Sequence, residues 1–419
     1  MVKIKKIFLL FIIWRVVDFL IIYFAPRFIP YLGFFPYREQ LVTLHKPIFL
    51  TPLANFDGIN YIVIATQQYH QYIQAFFPLY PTLIRLLLPI FKDGLVAGLI
   101  VSNVSFLVGL YVFYKSLKLT MVNFSRLQSK LIILFILAFP TSFFFGAVYT
   151  EGLFFLLLIS TLYFLKKESY FLVGFFAILA SLTRFVGVFL VIPIIFHWLS
   201  KSFRGISHLA ETEKSSDKRE RNPRFAGFLT RLIVGFEMTW KVIIITLSPL
   251  FGLGLYCFYL WKTTGDPLFF LNVQPVFGAN RSTQLILLPQ VIWRYLKIFF
   301  TASWNFQYFI SAIEFLFFSF VFIILVFDLL KHFKFISNFK FQIKNFDRLG
   351  LSLFSFANII LPTLTGTLSS IPRYSLFSIS VFIFLSEIKN NLLKTLIIII
   401  FLILHIVLFG FFRQGYFIS

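Results

Sequence analysis

Long apolar runs, broken by short clusters of basic residues, divide this chain from end to end. A helical bilayer crossing needs about 20 mostly apolar residues. Runs of that kind predict spans at 7–25, 94–114, 131–149, 151–165, 170–184, 186–200, 240–261, 308–330, 349–366, 373–388 and 393–412. The pairs 151–165/170–184 and 373–388/393–412 read as tight hairpins. The fold class is an all-α polytopic membrane bundle of about eleven spans, one domain over residues 1–419. Two long connections stand apart: the loop 26–93, and a charged, apolar-poor segment at 201–239. Within the first loop, Ile59, Ile62, Val63 and Thr66 fall at helical spacing after Asp57, which predicts a helix lying along the interface. No solenoid repeat and no inverted symmetry of the transporter kind is visible.

Composition sharpens this picture. With 59% hydrophobic and 21% aromatic residues, 63 of them Phe, the chain is too apolar for a soluble domain, which sits near 45–50%. A net charge of +22 invites a nucleic-acid reading, but the charges fall in short clusters between the apolar runs. That is the topological signature of a membrane protein, so nucleic acid is not an expected partner; anionic headgroups are. If the N-terminus is cytoplasmic, the inside segments 1–6, 115–130, 166–169, 201–241, 331–348 and 389–394 carry 25 of the 38 Lys and Arg. The outside segments carry 12, and Arg15 lies within the first span. This orientation makes 26–93 extracytoplasmic and 201–239 a basic cytoplasmic loop. The first apolar run follows Lys3, Lys5 and Lys6 without a small-residue cleavage site and reads as a retained span. The single Cys257 sits in an apolar run, which leaves neither a disulfide framework nor a thiolate metal site.

Under that orientation Asp57, Glu151, Arg184, Asp266 and Arg373 all emerge on the outer side. Charges at membrane depth are costly, about 2.5–3.5 kcal/mol each on insertion scales, so they tend to be paired or functional. Five on one face predict a single outward-facing site. Asp57 could cap the helix that follows it, or act as a general base if one oxygen stays free. Arg184 and Arg373 could snorkel to headgroups, or grip a phosphate with the guanidinium fork. Glu151 also reads as an N-terminal helix residue, and Asp266 as the first residue of an Asp-Pro turn. Arg15 and Asp18, three apart in the first span, are expected to pair. His45 and His70 lack a partner at ligand spacing, so no metal or cofactor is expected. No nucleotide-binding glycine loop appears, and an outer-face enzyme without one needs a lipid-linked donor.

The segments NFDGINYIVIATQQY and AFFPLYPTLIRLL resemble the signature of the second mannosyltransferase of GPI-anchor assembly, the PIG-V family, and its prokaryotic relatives. The resemblance extends in order to YTEGLFF, SLTRFVG, GDPLFF and IPRY; AFFPLYP is the most specific block, and Phe56 stands where the family has tryptophan. It implies a GT-C-type transmembrane glycosyltransferase of a bacterial or archaeal cell membrane. Such an enzyme takes sugar, here mannose, from a polyprenyl-phosphate donor and inverts the anomeric centre. Its acceptor is a lipid, glycan or protein. The implied roles are Asp57 as base, Arg184 and Arg373 on the donor phosphate, and Asn55, Tyr61, Gln74, Tyr80, Glu151, Asp266 and Tyr374 as substrate contacts. Competing expectations are another GT-C transferase, such as a protein O-mannosyltransferase or a transferase of a different lipid-linked sugar, or, in a different class, a polyprenyl-lipid flippase or transporter.

Overall fold

The computed structural model describes residues 2–32, 49–70, 72–120, 126–202, 240–277, 281–337 and 344–418, and within these the chain is helical with no strand. The expected cytoplasmic loop 201–239, apart from its first two residues, lies outside the described residues, as do residues 33–48, His45 among them, and 71 of the first loop. In chain order the helices are α1 (Val2–Phe28), α2 (Asp57–Gln67), α3 (Leu79–Phe91), α4 (Gly94–Thr120), α5 (Arg126–Ala138), α6 (Glu151–Lys166), α7 (Tyr170–Thr183), α8 (Phe185–Ser202, opening with a 3-10 turn) and α9 (Trp240–Thr264). They continue with α10 (Leu288–Thr301), α11 (Phe306–Ser337), α12 (Lys344–Thr363), α13 (Ile379–Glu387) and α14 (Asn391–Arg413). Six of them are long and apolar enough to cross a membrane: α1, α4, α8, α9, α11 and α14.

Helix ends follow local chemistry. Asp93 caps α4, its Oδ1 accepting from the amides of Leu95 at 2.7 Å and Val96 at 3.2 Å. Asn390 caps α14 through Leu393 N at 3.2 Å. The run read as a span at 131–149 is not one helix. α5 stops at Ala138, just before Phe139-Pro140, and a 3-10 turn Ser142–Gly146 follows. Proline lacks the amide hydrogen and drives its predecessor out of the α region, so Pro140 ends the helix inside an unbroken apolar run. The run 373–388 is likewise divided into the one-turn helix Ile371–Tyr374, the 3-10 turn Ser375–Phe377 and the nine residues of α13.

Packing is aromatic at its centre. Phe106 of α4 stacks on Phe145 at 4.2 Å, and Phe143 on Phe409 of α14 at 4.5 Å. These contacts bind the 3-10 turn between α5 and α6 to α4 and α14, and so fix the segment that leads into Glu151. A buried polar group strengthens the same junction. Arg15 and Asp18 pair at 2.7 Å as expected, and Asp18 Oδ1 also lies 2.8 Å from His405 Nε2. His405 Nδ1 in turn lies 3.2 Å from Ser142 Oγ.

Candidate active site

After the turn Thr51–Ala54, Asn55 ties the chain down. Its Nδ2 donates to the Phe412 carbonyl at 2.8 Å, and its own carbonyl accepts the Tyr149 hydroxyl at 2.6 Å. Phe56 then takes φ 58° and ψ −116°, a region that favours glycine, with its ring against Phe412 and Phe417. Such a conformation costs on the order of 1–3 kcal/mol and persists where packing over-determines it. It turns the chain so that Asp57 becomes the first residue of α2. The N-cap is Phe56, with no side-chain capping bond, so the Asp57 carboxylate is not used as the cap.

Asp57 Oδ2 accepts from Arg373 Nη1 at 2.7 Å, and its other oxygen has no hydrogen bond among the described residues. Arg373 is carried by the one-turn helix Ile371–Tyr374, which Pro372 opens. That turn is pinned from both sides: Thr141 Oγ1 donates to the Pro372 carbonyl at 2.8 Å, and Asn358 Nδ2 to the Tyr374 carbonyl at 2.7 Å. Arg184 sits where α7 ends, its backbone extended at φ −152° and ψ 144° between two helical segments. Its Nη1 pairs with Glu151 Oε1 and also donates to Thr150 Oγ1 at 3.0 Å. Arg373 Nε lies 3.2 Å from the same Glu151 oxygen, off the direction of a hydrogen bond. Aromatic faces complete the support, with Arg184 4.9 Å from the Tyr374 ring centroid and Arg373 5.4 Å from that of Tyr149.

The four charged groups form one chain, Asp57–Arg373–Glu151–Arg184, with two charges of each sign. They are not equivalent. Asp57 is 24% exposed while Glu151 is 0% exposed, so only Asp57 presents a carboxylate to an incoming molecule. It faces a cavity of about 890 Å³, a size that suits a small-molecule site. Tyr61, Arg184, Arg373 and Tyr374 share its wall. Burial first, then the Asp57 and Glu151 carboxylates, hold the Tyr61 phenol above its ordinary range, so it stays a neutral hydroxyl.

Of the remaining expected substrate contacts, none lines the cavity. Asn55 is a buried tether, as above. Tyr80 is fully buried and bonds the Gly98 carbonyl at 3.0 Å and Ser102 Oγ at 2.7 Å. Gln74 is buried, and its carbonyl accepts from Tyr256 at 2.6 Å. Glu151 lies behind the two arginines, with Oε2 buried and without a hydrogen-bond partner among the described residues. Asp266 closes its own turn instead, accepting from Leu268 N at 2.9 Å and Asn272 Nδ2 at 2.6 Å. These five side chains lie behind or beside the cavity, while neighbours in the same blocks, among them Phe77, Thr150 and Phe270, line it. Among the described residues no three His, Cys, Asp or Glu side chains gather as metal ligands.

The cavity also holds residues that sequence reasoning passed over. Arg281, from the connection before α10, lines the wall together with Gln274 and Ser370. Nothing in the spacing of GANRSTQ marks that arginine, because the cavity it lines is completed by residues far off in sequence, Ser370 and Arg373 among them. No protein-family model matches this chain, and no curated protein matches it in sequence.

Proposed function

We propose that this protein is a membrane glycosyltransferase that moves a hexose, mannose by the resemblance, from a polyprenyl-phosphate donor to a hydroxyl of a lipid, glycan or protein acceptor. The reading includes an eleven-span GT-C-type topology and a site on the extracytoplasmic face of a prokaryotic membrane. The observation that carries it is Asp57: a part-exposed carboxylate at a roomy cavity, with one oxygen held by Arg373 and the other without a hydrogen bond among the described residues.

The chemistry is a single inverting displacement. The acceptor oxygen attacks the anomeric carbon, its proton passes to the free oxygen of Asp57, and the bond from anomeric carbon to phosphate oxygen breaks. The electron pair leaves with polyprenyl phosphate. Once Asp57 is protonated, Arg373 has lost one of its two anionic partners, just as negative charge develops on the departing phosphate. Arg373 is thereby released toward that charge, and Arg184, anchored by Glu151, supports it from behind.

The test is transfer of radiolabel from polyprenyl-phosphate-mannose in membranes carrying the full chain. Label should enter an acceptor fraction with the wild type and not with D57N. Equal incorporation by the two would end the reading.

A further inference from the structure

Arg184 and Arg373 are poorly placed to hold a phosphate in the resting complex, because both are already neutralised. Glu151 takes Arg184 and shares Arg373, and Asp57 takes Arg373 from the other side. An incoming phosphate would compete with a carboxylate at each guanidinium.

The third arginine of the cavity differs. Arg281 Nη1 donates to Gln274 Oε1 at 2.9 Å, and Nη2 lies 3.4 Å from Ser370 Oγ; both partners are neutral. Among the described residues it makes no ion pair. The acid that feels its field is Glu314, which is outside pairing range and receives the Tyr295 hydroxyl at 2.5 Å on Oε2. Arg281 is also held in place. Its neighbour Ser282 donates its amide to the Thr365 carbonyl at 2.9 Å, and Ile286 donates to Leu364 at 2.9 Å. Ser370, in a left-handed conformation at φ 70°, gives its carbonyl to the amides of Arg373 at 3.0 Å and Tyr374 at 2.9 Å. One serine therefore links the wall that carries Arg281 to the turn that carries Arg373.

The same cavity has an apolar border. Leu268, Leu271, Val276 and Leu285 line it and are all exposed, Leu285 at 69%. In a protein with membrane-crossing helices, exposed leucines beside a cationic wall suit a ligand with an anionic head and a hydrocarbon chain.

We propose that Arg281 is the ground-state anion-binding residue of this cavity: its guanidinium receives the phosphate of a lipid-borne substrate whose chain lies over Leu268, Leu271, Val276 and Leu285. The assignment rests on the lipid-phosphate part of the transferase reading. It divides labour among the arginines, Arg281 holding the phosphate before reaction and Arg373 meeting the charge that develops during it.

The experiment places the full chain in phosphatidylcholine nanodiscs and measures equilibrium binding of tritiated geranylgeranyl phosphate, with geranylgeraniol and inorganic phosphate as competitors. Wild type should prefer the phosphate to the alcohol by about tenfold or more. A charge-assisted contact of this kind accounts for about a tenfold to hundredfold change, so R281Q should lose that preference while binding the alcohol as before. R281K should keep part of it. Both variants should melt close to wild type, because the lost hydrogen bonds are to neutral side chains. In the transfer assay R281Q should raise KM for the donor more than it lowers kcat. If wild type prefers the phosphate and R281Q is unchanged, the Arg281 assignment falls and the transferase reading stands. A wild type that holds phosphate and alcohol equally overturns the anionic-lipid premise itself. Inorganic phosphate competing as well as the prenyl phosphate would overturn the lipid-borne ligand.

Discussion

At the scale of single residues, exposure separates two acids that look alike in sequence. Asp57 touches the cavity, and Glu151 lies buried behind it against Arg184 and Arg373. Substituting them should therefore fail in different ways. D57N should fold and melt near wild type, since Arg373 keeps Glu151, yet lose about 10²–10⁴-fold in transfer rate through loss of the base. Retention of more than about half the wild-type turnover would demote Asp57 to a structural role. E151Q should instead act on stability. Removing one partner of a buried ion pair leaves uncompensated charge and costs on the order of 3–5 kcal/mol, readable as a large drop in thermal midpoint in detergent. The arginines should also differ. Arg373 bridges two carboxylates with different nitrogens, whereas among the described residues Arg184 makes its polar contacts through Nη1 alone. R373K should lose at least about tenfold in transfer, because an ammonium cannot span both acids, while R184K should lose less. Equal tolerance of both would favour snorkelling over a role in the site.

At the scale of elements, the junction 138–152 decides whether the site exists. Gly152 follows Glu151 in the first turn of α6, and an added Cβ would lie 2.5 Å from the Ser102 carbonyl oxygen and 2.7 Å from that of Phe145. Both are backbone atoms of packed segments and cannot turn aside. G152A should therefore destabilise by about 1–3 kcal/mol and shift Glu151 off its arginines. Its thermal midpoint and its transfer activity should fall together; a G152A variant with wild-type activity would mean that α6 has room the packing does not allow. This junction also marks where sequence reading runs out. Apolar runs located the long helices, and polar residues at their ends named Asp57, Glu151, Arg184 and Arg373, because hydropathy and the cost of membrane charge are local properties. The break at Pro140 was written in the chain but masked by the apolar residues around it. The positive φ of Phe56, the tether from Asn55 to Phe412 and the placement of Arg281 depend on segments far apart in sequence, and no pattern within either segment encodes them. Asp18–His405 is the same case: the acid and its near neighbour Arg15 could be paired by spacing, but the histidine 387 residues away could not.

At the scale of the whole molecule, the charged contacts apart from the buried Arg15–Asp18–His405 and Asp328–Arg348–His332 sets fall into two groups that share no residue. One is the site cluster of Asp57, Glu151, Arg184 and Arg373. The other ties together helix ends that the basic-residue count assigns to the cytoplasm: Lys201 with Glu168 at 2.7 Å, Lys331 with Glu387 at 3.2 Å, and Asp347 with Lys166 and, at 3.5 Å, His197. No ion pair among the described residues joins a member of one group to the other, as expected if a hydrocarbon slab separates them, since a charge in its midst is costly. The sorting says which ends lie together, and the excess of Lys and Arg predicts which side they face. Cysteine labelling checks both. In a C257A background, S303C, exposed in the turn between α10 and α11, should react with an impermeant maleimide on intact cells. K167C, exposed in the turn between α6 and α7, should react only after permeabilisation. Labelling of K167C alone on intact cells would invert the protein and put Asp57 on the cytoplasmic face, where an extracytoplasmic lipid-linked donor could not reach it. Labelling of both on intact cells would break the two-ended arrangement itself.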